Sequence, residues 1–129
     1  WLEPLHTPVF NSVREFLHAH IPVAAICGAT IGLAAHGFLN DRQHTSNDCE
    51  YLKAVCPSYK GESFYLQQPA VMDGDLITAS GVAPLDFAYA ILNKLEVYRP
   101  ETLEAWYKLY QTYEVTYFFA LMASLPQVA

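Results

Sequence analysis

The residue best suited to covalent chemistry is Cys27, which follows the apolar run of residues 23–26 and precedes a helical pattern starting at Gly28. A nucleophile on a sharp strand-to-helix turn needs small neighbours, because larger side chains would clash with the adjoining strand and helix. Ala25, Gly28 and Ala29 meet that requirement. The pattern therefore predicts a nucleophile elbow with a reactive thiol at its centre.

The start of the following helix would favour the reactive form of this thiol. Unpaired backbone N–H groups and the helix dipole at a helix N-terminus favour the thiolate. The backbone N–H of Gly28 is also available to donate a hydrogen bond to an oxyanion. From the spacing alone, a small buried residue at a strand end is an equally good interpretation of Cys27.

Two further cysteines, Cys49 and Cys56, lie seven residues apart on one face of a predicted helix, where buried or half-buried thiols are the favoured interpretation. The chain holds three cysteines and no Cys-x-x-Cys pair, so neither a disulfide framework nor a zinc site is predicted. We expect no metal or cofactor, and a reducing cytoplasm as the compartment.

The elements that must position Cys27 follow from changes in the apolar spacing. Thr7 is predicted to be the N-cap of an amphipathic helix that runs to about His20. A short strand, buried on both faces, covers residues 23–26. The helix that begins after Cys27 is expected to end at Gly37, a residue type that suits the C′ position.

The next segment predicts a second strand and a short helix. Residues 42–46 are expected to form the strand. Asn47, with Glu50 three residues later, makes a capping-box-like start for the helix. Ser46 is the alternative cap, and the helix is expected to end near Val55.

A hairpin and three helices complete the predicted elements. Asp73-Gly74 separates the apolar runs 70–72 and 76–78, which is a strong hairpin signal. Helices are expected at residues 85–95, from Pro100 through Tyr113, and at residues 115–123.

Alternating strands and helices predict an α/β fold with a mostly parallel sheet between two helical layers. The chain has 129 residues, 53% of them hydrophobic, which is enough for one domain with a substantial core. One parallel strand precedes Cys27, whereas a complete domain of this kind has more. We therefore expect this chain to lack the N-terminal strands of the domain.

The charge and hydropathy of the chain argue against two classes of partner. Seven Lys and Arg against 13 Asp and Glu give a formal net charge of −6, with no basic run, so nucleic acid is not expected to bind. The most apolar stretch, residues 21–39, is interrupted by a proline and three glycines and does not predict a membrane span.

Four segments, in this order, resemble the DJ-1/PfpI superfamily. They are residues 25–30 (AICGAT), 33–39 (LAAHGFL), 44–47 (HTSN) and 73–81 (DGDLITASG). The resemblance extends from about Trp1 to Leu95 or beyond and is nearest to the branch called type 1 glutamine amidotransferase-like, or intracellular protease/amidase. It implies a flavodoxin-like three-layer sandwich of the class I glutamine amidotransferase type. Residues 1–129 would be the C-terminal portion of one such domain, with a helical tail at about residues 100–123.

The resemblance also bears on the partners of the nucleophile. In the family, the nucleophile follows a Pro-Gly-Gly loop and is hydrogen-bonded by a glutamate from the earlier part of the chain, so this chain is expected to begin after that loop and that glutamate. Protease-like members carry a histidine directly after the nucleophile, where this chain has Gly28. Other members place a histidine near the nucleophile in a Thr-Ser-His pattern. Asn47 occupies the matching position here, after Thr45 and Ser46.

The predicted site residues are thus Cys27 as the nucleophile, Gly28 as an oxyanion donor, and Asn47 and His44 as neighbours. Asn47 is expected to lie near the Cys27 sulfur and orient it, since an amide cannot act as a general base at neutral pH. His44 is the nearby candidate base. A histidine near a strand end is, however, more often a structural hydrogen-bonding group.

The resemblance implies amide hydrolysis, glyoxalase-type chemistry on small aldehydes, or no turnover. Glutaminase action is the least supported, because Gly28 and Asn47 stand where a base would be. The alternatives are a redox-responsive protein whose Cys27 is oxidised without turnover, and a purely structural subunit. The superfamily and the aromatic C-terminal segment both imply a homodimer.

Overall fold

A computed structural model describes residues 1–126 of the chain. The α-helices are α1 (Thr7–His18), α2 (Gly28–Ala35), α3 (Cys49–Val55), α4 (Pro84–Lys94), α5 (Pro100–Thr112) and α6 (Val115–Ser124), and the strands are β1 (Val23–Ile26), β2 (Ala70–Asp73) and β3 (Leu76–Ala79). Single turns of 3-10 helix occupy Pro4–His6 and Glu62–Phe64. None of the helices in residues 1–126 is long and apolar enough to cross a membrane.

The sheet has β3 at its centre, parallel to β1 on one side and antiparallel to β2 on the other. All four residues of β3 are buried, and α4 packs against both β2 and β3. Ile26 at the end of β1 lies opposite Ala79 at the end of β3. Because parallel strands end at the same edge of a sheet, the turns after these two strands lie side by side. The α/β class predicted from the sequence is confirmed.

The β2–β3 hairpin has the strands that were predicted but a turn one residue further along. Asp73 is the last residue of β2 and pairs with Leu76, so Gly74 and Asp75 form the turn. Gly74 has a φ of 59°, which glycine adopts without a steric penalty.

The core lies between α1, α2 and α3 and the sheet, and it fixes α2 firmly. Leu33 and Ala34 on this helix are buried, and the buried Phe10 of α1 packs on it. A Cβ atom at Gly32 would lie 2.1 Å from Cζ of Phe10, so only glycine allows this approach. The same Phe10 ring stacks on His36, with 4.2 Å between the ring centroids. Cys27 is therefore followed directly by a helix that is well packed against the core.

The sequence predicted the end of α2 correctly but not the start of α1. The prediction that Thr7 is an N-cap is wrong: the preceding 3-10 turn already leads into the helix, and Thr7 is its first residue. Gly37 does terminate α2, with a φ of 80°. Its N–H donates to the Ala34 carbonyl (3.1 Å) and the Phe38 N–H donates to the Leu33 carbonyl (3.0 Å), which is a Schellman motif.

The cap of α3 is neither of the two residues predicted. Asp48 is the N-cap, and its Oδ1 accepts a hydrogen bond of 2.7 Å from the Tyr51 N–H. Asn47 and Ser46 are engaged elsewhere, because the Asn47 Oδ1 accepts from the Gly81 N–H and the Ser46 hydroxyl pairs with that of Thr30. Sequence spacing identified the helix but not this competition for side chains.

The strand predicted at residues 42–46 does not form, and this prediction is wrong. In the described part of the chain, His44 makes an isolated bridge to Tyr65 instead of joining the sheet. Side chains bind the backbone that a strand would have paired. The Arg42 carbonyl accepts from the His44 ring, and the Thr45 N–H donates to the Thr78 hydroxyl.

The C-terminal segment forms two helices that pack on each other. Tyr113, with a φ of 62°, ends α5 in the left-handed region, and α6 begins two residues later. The Thr102 hydroxyl donates to the Ser124 carbonyl (3.3 Å), which joins the far ends of the two helices. The helix predicted at residues 115–123 is confirmed. Residues 127–129, the end of the predicted domain, lie outside the described residues.

Candidate active site

Cys27 forms the turn between β1 and α2 in a strained backbone conformation. Its φ is 57° and its ψ is −127°, in a region that residues with a side chain rarely occupy. Such a residue costs on the order of 1–3 kcal/mol and persists only where its surroundings fix it. Here the Cys27 N–H donates to the Ala79 carbonyl (3.0 Å), and the Cys27 carbonyl accepts from the Thr30 N–H (3.1 Å) and hydroxyl (2.6 Å).

The loop before α3 is attached to this turn by buried hydroxyl groups. The Thr30 hydroxyl lies 2.8 Å from the Ser46 hydroxyl, and both residues are buried. Thr45, also buried, receives its support from the sheet: its N–H donates to the Thr78 hydroxyl (2.9 Å). Because buried hydroxyl groups are costly to leave unpaired, these bonds hold the loop in one position. That position determines where Asn47 lies.

Asn47 lies between the nucleophile and the turn that follows β3. Its Oδ1 accepts a hydrogen bond of 2.8 Å from the Gly81 N–H, and its Nδ2 donates to Cys27 Sγ at 3.4 Å. A backbone N–H can bind only the oxygen end of the amide, so Gly81 fixes which end faces the sulfur. The structure thus places Asn47 beside the sulfur, as expected from the sequence, while its effect on reactivity stays a prediction.

Gly81 contributes a second feature, which sequence reasoning missed. A Cβ atom at this position would lie 2.7 Å from Cys27 Sγ and 3.0 Å from Cys27 Cβ. Only glycine allows the turn after β3 to approach the sulfur so closely. In the sequence, Gly81 is noted only as the last residue of the family-like segment 73–81. The parallel pairing of β1 with β3, once recognised, would have brought this turn to Cys27.

Gly28 is the first residue of α2, so its N–H lies where no carbonyl of the same helix can accept it. The Trp1 side chain covers this glycine: a Cβ atom at Gly28 would lie 3.2 Å from Trp1 Cδ1. Thus Cys27, Gly28 and Asn47 come together at the carboxyl edge of the sheet.

His44, the fourth predicted site residue, is buried and fully engaged elsewhere. Its Nδ1 lies 2.8 Å from the Arg42 carbonyl, and its Nε2 lies 2.7 Å from the Tyr59 hydroxyl. A carbonyl only accepts, so Nδ1 carries the proton and donates, and Nε2 accepts from Tyr59. Burial lowers the pKa of His44, which agrees with a neutral ring. With both nitrogens occupied, His44 is poorly placed to remove a proton from the Cys27 thiol.

The three cysteines are free thiols in different surroundings. Cys27 is exposed. Cys56 is buried, with its Sγ 3.5 Å from the Ile31 carbonyl, and burial raises its pKa. Burial also raises the pKa of Cys49, as do the carboxylates of Glu62 and Glu50. In the described part of the chain, no group of histidine, cysteine, aspartate and glutamate is arranged to hold a metal ion.

The sequence profile of the DJ-1/PfpI family matches residues 3–94, which is most of the chain. The chain belongs to the DJ-1/PfpI family. Two relatives from Bacillus subtilis (strain 168) are similar to it: the uncharacterized protease YoaZ, 53% identical over 125 residues, and the uncharacterized protease YdeA, 40% identical over 96 residues. Those alignments cover 97% and 74% of this chain but 60% and 48% of the relatives.

Two solved structures share the fold. A thiJ/pfpI family protein from Bacillus anthracis superimposes with a TM-score of 0.96 at 49% identity, over 98% of this chain and 60% of that protein. A DJ-1 superfamily protein from Agrobacterium tumefaciens gives a TM-score of 0.70 at 41% identity, over 78% of this chain and 53% of that protein. The chain therefore spans about 60% of the length of its most fully aligned relatives. The resemblance seen in the sequence and the flavodoxin-like α/β fold that it implies are confirmed.

We predict that Cys27 is the cysteine most rapidly alkylated by iodoacetamide. It is exposed at a helix N-terminus, whereas burial raises the pKa of both the Cys49 and Cys56 thiols and so disfavours their thiolates. Mass mapping of the labelled peptides after brief exposure at pH 7.5 measures the three rates. Faster labelling of either other cysteine would contradict a reactive elbow.

We also predict that mild acid destabilises the protein through His44. Its pKa in the folded protein lies below the usual 6.5, so the unfolded chain takes up a proton that the folded protein does not. The contribution of His44 to the free energy of unfolding should be fully present above its unfolded-state pKa of about 6.5. The free energy of unfolding should decrease as the pH falls from about 7 towards 5, before most carboxylates titrate. Urea midpoints across this window measure the effect.

The matched variant for this test is His44→Gln, which replaces the ring with an amide that does not titrate. It should flatten the pH dependence of the urea midpoint over the same window. A wild-type midpoint that does not change there, or an unchanged slope in the variant, would contradict the assignment.

Proposed function

We propose that this protein is a cysteine-dependent hydrolase, in which Cys27 attacks the carbonyl carbon of an amide or a small aldehyde. The observation that carries the proposal is the exposed Cys27 thiol on a strained turn, with Asn47 donating a hydrogen bond to its sulfur. Strained backbone concentrates at functional sites. Two relatives named proteases, YoaZ and YdeA, agree with hydrolytic chemistry.

For an amide, the proposed reaction has two stages, which are acylation of Cys27 and hydrolysis of the resulting thioester. The thiolate forms a bond to the carbonyl carbon, and the oxyanion of the tetrahedral intermediate accepts a hydrogen bond from the Gly28 N–H. The C–N bond then breaks, and the leaving amine takes up the proton that the thiol gave up, which leaves a thioester on Cys27. The oxygen of a water molecule then forms a bond to the thioester carbon and the C–S bond breaks, which releases the carboxylic acid and returns a proton to the sulfur.

Asn47 has a positioning part in this scheme. Its Nδ2 donates towards Cys27 Sγ and stabilises negative charge on the sulfur, but an amide does not accept the thiol proton. Among residues 1–126, the hydrogen bonds of the Cys27 sulfur include no carboxylate or imidazole. In the family, a glutamate from an earlier segment hydrogen-bonds the nucleophile, and we propose such a group as the partner of the Cys27 thiol. Glutamine amidotransfer is the least supported activity.

A second candidate function follows because no carboxylate or imidazole among residues 1–126 is hydrogen-bonded to the Cys27 sulfur. We propose as the alternative that Cys27 is a redox-responsive thiol without turnover. A peroxide would oxidise its thiolate to sulfenate, with cleavage of the O–O bond and release of water or an alcohol. Its exposure and its hydrogen bond from Asn47 support this chemistry equally. Turnover of amide or methylglyoxal substrates distinguishes the two functions, since the redox alternative yields no product.

We further propose that the protein is a cytoplasmic homodimer. Its three free thiols support a reducing compartment. No residue of α6 is buried, and its exposed side chains include Phe118, Phe119 and Met122. Apolar side chains grouped in this way commonly mark an interface between proteins.

We predict that Asn47→His increases hydrolytic turnover, by about tenfold or more, because it supplies a base with an ordinary pKa of about 6.5 at the position beside the sulfur. His44→Ala should change turnover little. Initial rates on amide and methylglyoxal substrates, with Cys27→Ser as the inactive control, measure both effects.

The two histidine experiments separate two assignments of the base. Because His44 is buried, His44→Gln serves as the gentler partner of His44→Ala, and circular dichroism reports whether each variant folds. Loss of activity in folded His44→Gln, together with no gain in Asn47→His, would mean that His44 is the working base.

We predict that Phe119→Asp weakens the dimer, raising its dissociation constant by about tenfold or more, because a buried carboxylate is costly at an apolar interface. Light scattering at micromolar concentration measures the mass. Val9→Asp, on the exposed side of α1, is the matched control and should leave the dimer intact. A monomeric wild-type protein would contradict the proposal.

A further inference from the structure

A groove of about 270 Å³ runs between α2 and α3, beside the nucleophile. Its floor includes Ile31 of α2 and Val55 of α3, both packed against the core. Its sides include Trp1 and Tyr51, whose side chains are 48% and 52% exposed. Large apolar surface left open in a concave site is typical of ligand pockets.

One end of this groove meets the reactive turn. Gly28, the residue after Cys27, lines the groove. The two helices both begin at this end, because α2 starts at Gly28 and the loop before α3 carries Asn47, which touches the sulfur. Further along, the Cys56 thiol contacts the Ile31 carbonyl at 3.5 Å and joins the helices. The groove therefore begins one residue from the nucleophile, between the two helices that start beside it.

The Trp1 wall is held in place by aromatic packing. Its ring meets the buried Phe10 edge to face, with 6.1 Å between centroids, and lies 5.4 Å from the His6 ring. It also lies against Gly28, where a Cβ atom would come within 3.2 Å of it. Because these contacts already hold the Trp1 side chain, it loses little conformational entropy when an apolar group packs against it.

We propose that this groove binds an apolar, side-chain-sized group of the substrate, of the size of a benzyl or isobutyl group, next to the carbonyl that Cys27 attacks. The inference rests on the proposed function, since it takes Cys27 as the attacking residue. Pockets for drug-sized ligands run from about 300 Å³ upwards, so this groove suits one side chain and not a large ligand. Glu3 is the one carboxylate along the groove and disfavours an anionic substituent there.

Alkylation by two chloroacetamides tests the groove without requiring turnover. In the full chain, Cys27 is labelled with N-benzyl-2-chloroacetamide or with unsubstituted 2-chloroacetamide, and each rate is divided by the rate of the same reagent with glutathione. In both reactions an S–C bond forms, the C–Cl bond breaks, chloride leaves with the bonding pair and the thiol proton passes to the buffer. We expect wild-type Cys27 to prefer the benzyl reagent by about tenfold, which corresponds to partial burial of the ring.

Two matched variants place the preference in the groove. Tyr51→Asp puts a charge on the groove wall and should reduce the benzyl preference to near unity. Tyr110→Asp changes a tyrosine of similar exposure (55%) on α5 and should leave it unchanged. Taking the ratio of the two reagents within each variant cancels any effect of the new charge on the thiolate itself.

The outcomes separate this inference from the proposed function. No benzyl preference in the wild type, or a preference that survives Tyr51→Asp, overturns the groove assignment even if amides are hydrolysed. A preference that Tyr51→Asp removes supports the groove, and it does so whether or not any amide is turned over.

Discussion

The backbone of Cys27 is the constraint on which the rest of the site depends. A residue with a side chain held at a φ of 57° must be fixed from both sides, and here β3 binds its N–H while Thr30 binds its carbonyl. The same Thr30 hydroxyl meets Ser46 and so positions the loop that carries Asn47. Strain at one residue and the placement of its hydrogen-bonding neighbour are thus consequences of one buried polar cluster.

Features that depend on local patterns were predictable from the sequence. The elbow follows from small residues around Cys27, the hairpin from Gly74, and the end of α2 from Gly37, because each position has steric requirements that few residue types meet. The family resemblance added the neighbourhood of Asn47, which spacing alone could not have supplied. The fold class and the position of the nucleophile elbow could therefore be predicted from the sequence.

Features that depend on competition between distant groups were not predictable. Asn47, Ser46 and Asp48 are all good caps by residue type. Gly81 occupies the Asn47 Oδ1 and Thr30 pairs with the Ser46 hydroxyl, which leaves Asp48 for that role. His44 has the residue type of a base, yet the ring is enclosed by Tyr59 and Tyr65. The approach of Gly81 to the sulfur and the groove between α2 and α3 likewise exist only after the helices pack.

The pairing of β1 with β3 has a consequence for how the site assembles. Strands distant in the sequence must close a long loop before the Ala79 carbonyl can bind the Cys27 N–H. Until then, only the local bonds from Thr30 to the Cys27 carbonyl support the unfavourable conformation of the elbow. The reactive geometry therefore depends on a long-range pairing, and a chain that lacks this pairing carries the same cysteine without the complete site.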